Sequence, residues 1–321
     1  MTKQIVSFTA VIGLLLVSMI YAASTGSIQM GFFELIGALF EEGNSQMEAI
    51  RDLRFPRIIV ALFAGASLSV SGVLLQSVMR NPLADAGVIG ISSGAAFVQL
   101  LIISFFPALF FMTPVLSFIG GAFACALVFS LSWKSGLSPL KLLLVGIAVN
   151  AMFTGLTEGF ISLGGSLNTS ASSVVGSNLT MRTWQDVTTI VTYGSVGLIG
   201  AFFLYGWCNL LVLQDKTAKS LGFHVARARL MIAAVAVFLA AISVVVAGVI
   251  SFVGLLVPHI ARRLVGYDHK VLIPFTALSG ALLILVADTI GRTIASPLEI
   301  PASTIMAIIG GPFLIFLLRK E

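Results

Sequence analysis

Charge is scarce in this chain: only 10% of its 321 residues are Asp, Glu, Lys or Arg. A water-soluble domain needs roughly 25% to cover its surface, so a soluble globular fold is excluded. Cysteine is nearly absent. Cys125 and Cys208 sit in or beside apolar runs; they offer neither a disulfide framework nor metal spacing and read as buried structural thiols. His224, His259 and His269 stand in separate segments, so no metal site is expected from them. The chain also lacks a G-x-x-x-x-G-K-[ST] phosphate loop, an H-E-x-x-H zinc motif and a G-x-S-x-G elbow. Covalent catalysis is therefore not expected, and any nucleotide that drives the protein must be bound by another subunit. No period-2 alternation runs through the apolar stretches, which argues against a membrane β-barrel.

What is abundant is apolar length. Hydrophobic residues make up 58% of the chain, in runs of about 20 that match a hydrocarbon core of about 30 Å. Candidate spans are 5–23, 57–79, 89–106, 113–133, 140–163, 187–207, 229–248, 250–265, 271–291 and 302–318. The expectation is an all-α integral membrane protein of about ten transmembrane helices, a single domain over 1–321. The first run reads as an uncleaved span rather than a secretion signal, because further spans follow at once. The third and eighth are short, with Gly or Pro at their entrances, and are expected to be broken or partial helices. Such irregular backbone needs protein packing or a cavity around it.

Basic residues set the orientation. Alternate loops hold Lys3, Arg80, Lys134, Lys141, Lys216, Lys219, Arg227, Arg229, Arg262, Arg263, Lys270, Arg319 and Lys320, which is 13 of the 18. The positive-inside rule then makes both termini cytoplasmic. These loops account for the net charge of +5 without a nucleic-acid partner. The outer segment 24–56 includes GFFELIGALFEEG, with Glu34, Glu41 and Glu42 on one side, and reads as a short helix lying on the surface. A second outer segment carries Asn168-Thr169-Ser170 and Asn178-Leu179-Thr180, chance matches to a glycosylation pattern. Two segments echo each other, GVLLQSVMRNP (Gly72 to Pro82) and GVISFVGLLVP (Gly248 to Pro258). They run in opposite senses, and are either an inverted repeat or an accidental match of two short stretches.

Several residues admit two readings. Arg54 and Arg57 share a helical face ahead of an uncharged run, with Pro56 suited to a first turn. They are either a docking doorstep or interfacial arginines that snorkel to lipid phosphate. Asp288 lies inside the ninth span and needs a partner. Arg292, one turn later, either pairs with it or is presented outward. Glu158 faces a water-filled path or sits near a span's outer end. The cytoplasmic segment 208–229, containing LQDKTAKSLGFHVARAR, is either a docking site for an energising subunit or a solvated basic loop.

The blocks RFPR, AGASLSVSG, RNPLADAGVIGISSGA, KLLLVGIAVN, KSLGF, AGVISFVGLLVPHIARRLVGYDHKVLIP, LVADTIGR and LEIPASTIMAIIGGPF occur in this order. Together they resemble the permeases of type II ABC importers for iron chelates and vitamin B12, over nearly the whole chain. The look is nearest to Gram-positive permeases for haem and ferric siderophores. Ala86 departs from the proline that many relatives carry there.

That resemblance implies a multi-pass permease of the bacterial plasma membrane, working as a two-fold pair with a second copy or a paralogue. It implies a cytoplasmic ATPase dimer that binds the ATP and Mg, and an extracytoplasmic substrate-binding lipoprotein. Arg54, Arg57 and Arg292 would receive carboxylates of that lipoprotein. Asn81 and Leu83 would form one cytoplasmic gate, with Ser138 and Pro139 at another. Ser220, Leu221 and Gly222 would contact the ATPase. The cargo implied is a ferric siderophore or haem, with cobalamin as the alternative. A rival of another class is a secondary transporter carrying protons through Asp288 or Glu158.

Overall fold

The computed structural model describes residues 2–25, 50–133, 139–164, 179–296 and 298–320, and among these every regular element is helical. Helix α1 is Thr2–Ser24. A π-helical turn, Ile50–Arg54, leads into α2, Phe55–Met79. Then come α3 (Ile91–Phe105), a 3-10 turn (Pro107–Met112), α4 (Thr113–Trp133) and α5 (Pro139–Gly164). After them follow α6 (Trp184–Phe203), α7 (Tyr205–Leu211), α8 (Asp215–Ser220) and α9 (Val225–Ala247). The last three are α10 (Val253–Val265), α11 (His269–Thr293) and α12 (Ala302–Lys320). Among the described residues, seven helices are long and apolar enough to cross a membrane.

Each expected span carries a helix. The third and eighth are indeed short, at 15 and 13 residues. The sixth differs from expectation: its helix stops at Phe203 and restarts at Tyr205, with Leu204 at φ −87°, ψ 0°. An unbroken apolar run gives no sign of such a restart. The surface helix expected within 24–56 falls mostly on 26–49, outside the described residues.

Helix α2 forms the centre. Of its most apolar 18-residue window 83% is buried, against 11% for α1. Around it pack α6, α9, α10 and α11. Small residues make that crowding feasible, as in membrane helices generally. A Cβ on Gly72 would lie 2.0 Å from the Gly254 carbonyl oxygen, and one on Gly65 would lie 2.2 Å from that of Gly280. The two echoing segments therefore touch through glycine backbone. Buried serines complete the seam: Ser69 donates to the Thr276 carbonyl at 3.0 Å and Ser71 to that of Ala236 at 2.7 Å. A second sub-bundle, α3, α4 and α5, packs to one side. Outward-facing Leu144, Ile147, Met152 and Leu156 of α5, with Ile308, Ile309 and Ile315 of α12, stay exposed in the single chain.

Candidate functional site

Two constellations sit at the ends of α2. From Arg57 to Arg80 the helix rises about 35 Å.

At the first end, Arg57 is buried and held by carboxylates. Its Nε and Nη2 donate to the two oxygens of Asp288, both at 2.8 Å, and Nη1 donates to Glu299 at 2.9 Å. The Thr180 hydroxyl donates to the same Glu299 oxygen at 2.6 Å. Planar two-point pairing of this kind suits guanidinium geometry and fixes orientation. Burial pushes the Glu299 carboxyl up, but hydrogen bonds from Thr180 and Arg57 outweigh it and hold it below the usual range. Arg54, also buried, donates to the Ala23 carbonyl at 2.7 Å, and Arg292 donates to the neighbouring Ala22 carbonyl at 2.9 Å. Those carbonyls close the C-terminal turn of α1, where the helix dipole favours cations. The three arginines therefore converge at this end of the bundle.

Of the two readings of Arg292, pairing with Asp288 is not the arrangement seen: among the described residues the ion pair of Asp288 is with Arg57. The i,i+4 neighbour is close on the helix, but Arg57 reaches both carboxylate oxygens at once, while Arg292 turns to the end of α1. Arg57 is also no lipid-snorkelling side chain, since its guanidinium is spent on Asp288 and Glu299.

At the far end, α2 stops at Arg80, whose backbone is left-handed (φ 49°). Asn81 is buried; its side-chain oxygen accepts from the Leu83 amide at 2.9 Å, and its carbonyl accepts from Ala84 at 3.1 Å. This local turn sets the conformation of the loop 81–90. Gln76 reinforces it by donating to the carbonyls of Ala84 at 3.3 Å and Gly254 at 2.9 Å. Asp85 is buried, and burial pushes its carboxyl up to about 6 against the opposing pull of the Gly87, Phe252, Val88 and Ala86 amides. Of the other residues expected at a gate, Ser138 lies outside the described residues and Pro139 opens α5.

The KSLG stretch lies beyond this loop. Ser220 ends α8, its hydroxyl bonded to the Thr217 carbonyl at 2.8 Å. Leu221 is 66% exposed. Gly222 adopts φ +77° with nothing within 4 Å of where a Cβ would stand, and its amide donates to Lys219 at 2.9 Å. The site is thus an exposed apolar tip on a glycine turn. Phe223 anchors it from behind, edge-on to Trp207 at 6.2 Å. Arg80, Asp215 and Arg229 make a charged cluster that the motifs did not single out. Asp215 pairs with Arg80 at 2.7 Å and Arg229 at 3.0 Å. The available signal was a lone acid in an otherwise basic segment.

Comparison with known proteins identifies the bundle. The family model of the FecCD transport family matches residues 14–320. The chain belongs to the FecCD transport family. IsdF of Staphylococcus aureus (strain MSSA476), named a probable heme-iron transport system permease protein, is 40% identical over 319 residues, covering 99% of this chain and 97% of IsdF. The same identity and coverage hold for IsdF of strain Newman. A solved metal-chelate type ABC transporter in an inward-facing conformation superposes with a TM-score of 0.82 at 29% identity, covering 99% of this chain and 100% of that one. PsaBC from Streptococcus pneumoniae, in complex with Fab, shares the fold at a TM-score of 0.61 and 15% identity, over 89% and 95% of the two chains. As a FecCD member the chain is a multi-pass plasma-membrane permease, and not itself the ATPase.

Proposed function

We propose that this chain is the membrane permease of an ATP-driven importer that carries an iron chelate, haem or a ferric siderophore, into the cytoplasm. The match to the FecCD family from residue 14 to 320 carries the reading. The name of the S. aureus relative supports haem within that class. Two permease copies or paralogues would enclose the path. Ten helices would cross the bilayer, with both termini cytoplasmic. Two cytoplasmic ATPases would bind ATP and Mg and grip the exposed turn at Ser220, Leu221 and Gly222. Asn81 and Leu83, with Ser138 and Pro139, would gate the inner side. An extracytoplasmic lipoprotein would dock on the rim of Arg54 and Arg292, with Arg57 held in place by Asp288 and Glu299, where charge steers encounter and fixes register. Specificity would rest in that lipoprotein, since the helices offer mainly apolar walls.

Proton-coupled transport through Asp288 is the weaker reading, because Arg57 already occupies both oxygens of that carboxylate. The deciding experiment replaces the catalytic glutamate of the partner ATPase in the reconstituted system. Loss of uptake is expected; undiminished uptake would favour the secondary transporter. Titrating the partner lipoprotein with haem and with several ferric siderophores identifies the cargo.

A further inference from the structure

Arg80 joins the exposed coupling turn to the gate loop through a single side chain. Its Nε donates to the Leu211 carbonyl at 2.8 Å, and its Nη2 contacts the Leu213 carbonyl and pairs with Asp215 at 2.7 Å. Asp215 is the first residue of α8, the short helix that ends at Ser220 and presents Leu221. The same carboxylate oxygen takes Arg229 of α9. In the other direction, the next residue along the chain is Asn81. Left-handed backbone is unusual for a residue with a side chain and persists where surroundings over-determine it. Here it closes α2, the amides of Arg80 and Asn81 both donating to the Gln76 carbonyl, while the fork of Arg80 holds the segment 211–215.

The loop in turn is fastened at its far side. Asp85 is buried, one of its oxygens accepting from the Gly87 amide at 3.2 Å. A Cβ on Gly254 would lie 2.3 Å from the other oxygen, so the carboxylate rests directly on the start of α10. Gln76 bridges Ala84 and Gly254 as well. A displacement of Asp215 therefore reaches Asn81 through Arg80, and reaches α10 through Asp85.

We propose that Arg80 is the positioning residue through which movement of the coupling turn is transmitted to the loop 81–90, with Asp85 passing it on to α10. This rests on the reading of 220–222 as the ATPase contact. The Arg80–Asp215 pair is partly exposed on both sides, 36% and 39%. Solvent-screened pairs add little to stability, so cutting this one should alter transmission and leave the fold intact.

The test uses the complete transporter in liposomes, with a nitroxide label on Leu83→Cys or, separately, Leu221→Cys. The native thiols are buried and stay unlabelled. ATP should shift the spectrum at both positions in the otherwise unaltered protein. With Arg80→Met or Asp215→Asn, the ATP response at 221 should persist, and that at 83 should fall about fivefold or more. Arg80→Lys, which keeps the charge but not the fork, should restore part of it. An undiminished response at 83 in both variants, with 221 still responding, overturns the Arg80 link and leaves the coupling turn standing. Silence at 221 in the unaltered protein overturns the coupling turn and this inference with it. If Arg80→Met does not assemble, Asp215→Asn decides alone.

Discussion

The Arg57–Asp288 pair and the Arg80–Asp215 pair use the same chemistry at opposite ends of α2, in opposite surroundings. Side-chain exposure is 8% and 4% at the first, and 36% and 39% at the second. The first joins α2 to α11 in a buried setting, where losing one partner strands a charge. The second lies at a water-facing hinge, where its geometry matters more than its energy. Burial, more than pairing, separates a structural latch from a transmitting contact.

The sharpest way to break this contrast is to cut both pairs and compare stability. Asp288→Ala should cost about 3–5 kcal/mol, because it leaves the Arg57 guanidinium buried without its main partner. Asp215→Asn should cost at most about 1 kcal/mol, as expected for a screened pair. Thermal unfolding in detergent checks both, and equal losses would erase the distinction.

Next in size is the coupling turn. Proline cannot adopt φ +77° and removes the Gly222 amide that bonds to Lys219. ATP-driven uptake by Gly222→Pro should drop about tenfold, about 1.4 kcal/mol in effect, with membrane insertion unchanged. Normal uptake would count against this turn as the ATPase contact.

The rim offers a smaller effect. Arg54→Gln with Arg292→Gln spares the Arg57 latch, and should slow association of the binding protein about fivefold while weakening its salt dependence. An unchanged association rate would retire docking at these two arginines.

Smallest is a pH effect at Glu299. Its folded carboxyl titrates below the ordinary value of 4.5. The stability it adds is therefore fully present above that value and is lost as pH falls through the lowered one. Glu299→Gln should flatten the acid limb of a melting-temperature profile and leave it unaltered near neutrality.

Much of this architecture was legible because lipid imposes simple rules. Run length located α2 over 57–79, where the helix is Phe55–Met79, and Gly or Pro at the entrances marked α3 and α10 as short. The latch was only half legible. A charge inside a span demands a partner, but sequence proximity pointed Asp288 to Arg292. The observed partner lies 231 residues away, and only packing of α2 on α11 brings it near. Arg80 was visible as a basic residue closing a span. Its grip on Asp215 was not, because that depends on how 211–215 folds back against the end of α2.

Sided labelling of two introduced cysteines tests the central claim most directly: the arginine rim and the KSLG turn open to different compartments. Leu298 is 75% exposed beside Glu299, and Leu221 is 66% exposed at the turn, while Cys125 and Cys208 are buried. In intact cells an impermeant maleimide should label Leu298→Cys from outside and reach Leu221→Cys only after the membrane is opened. Labelling of both from the same side would contradict the account.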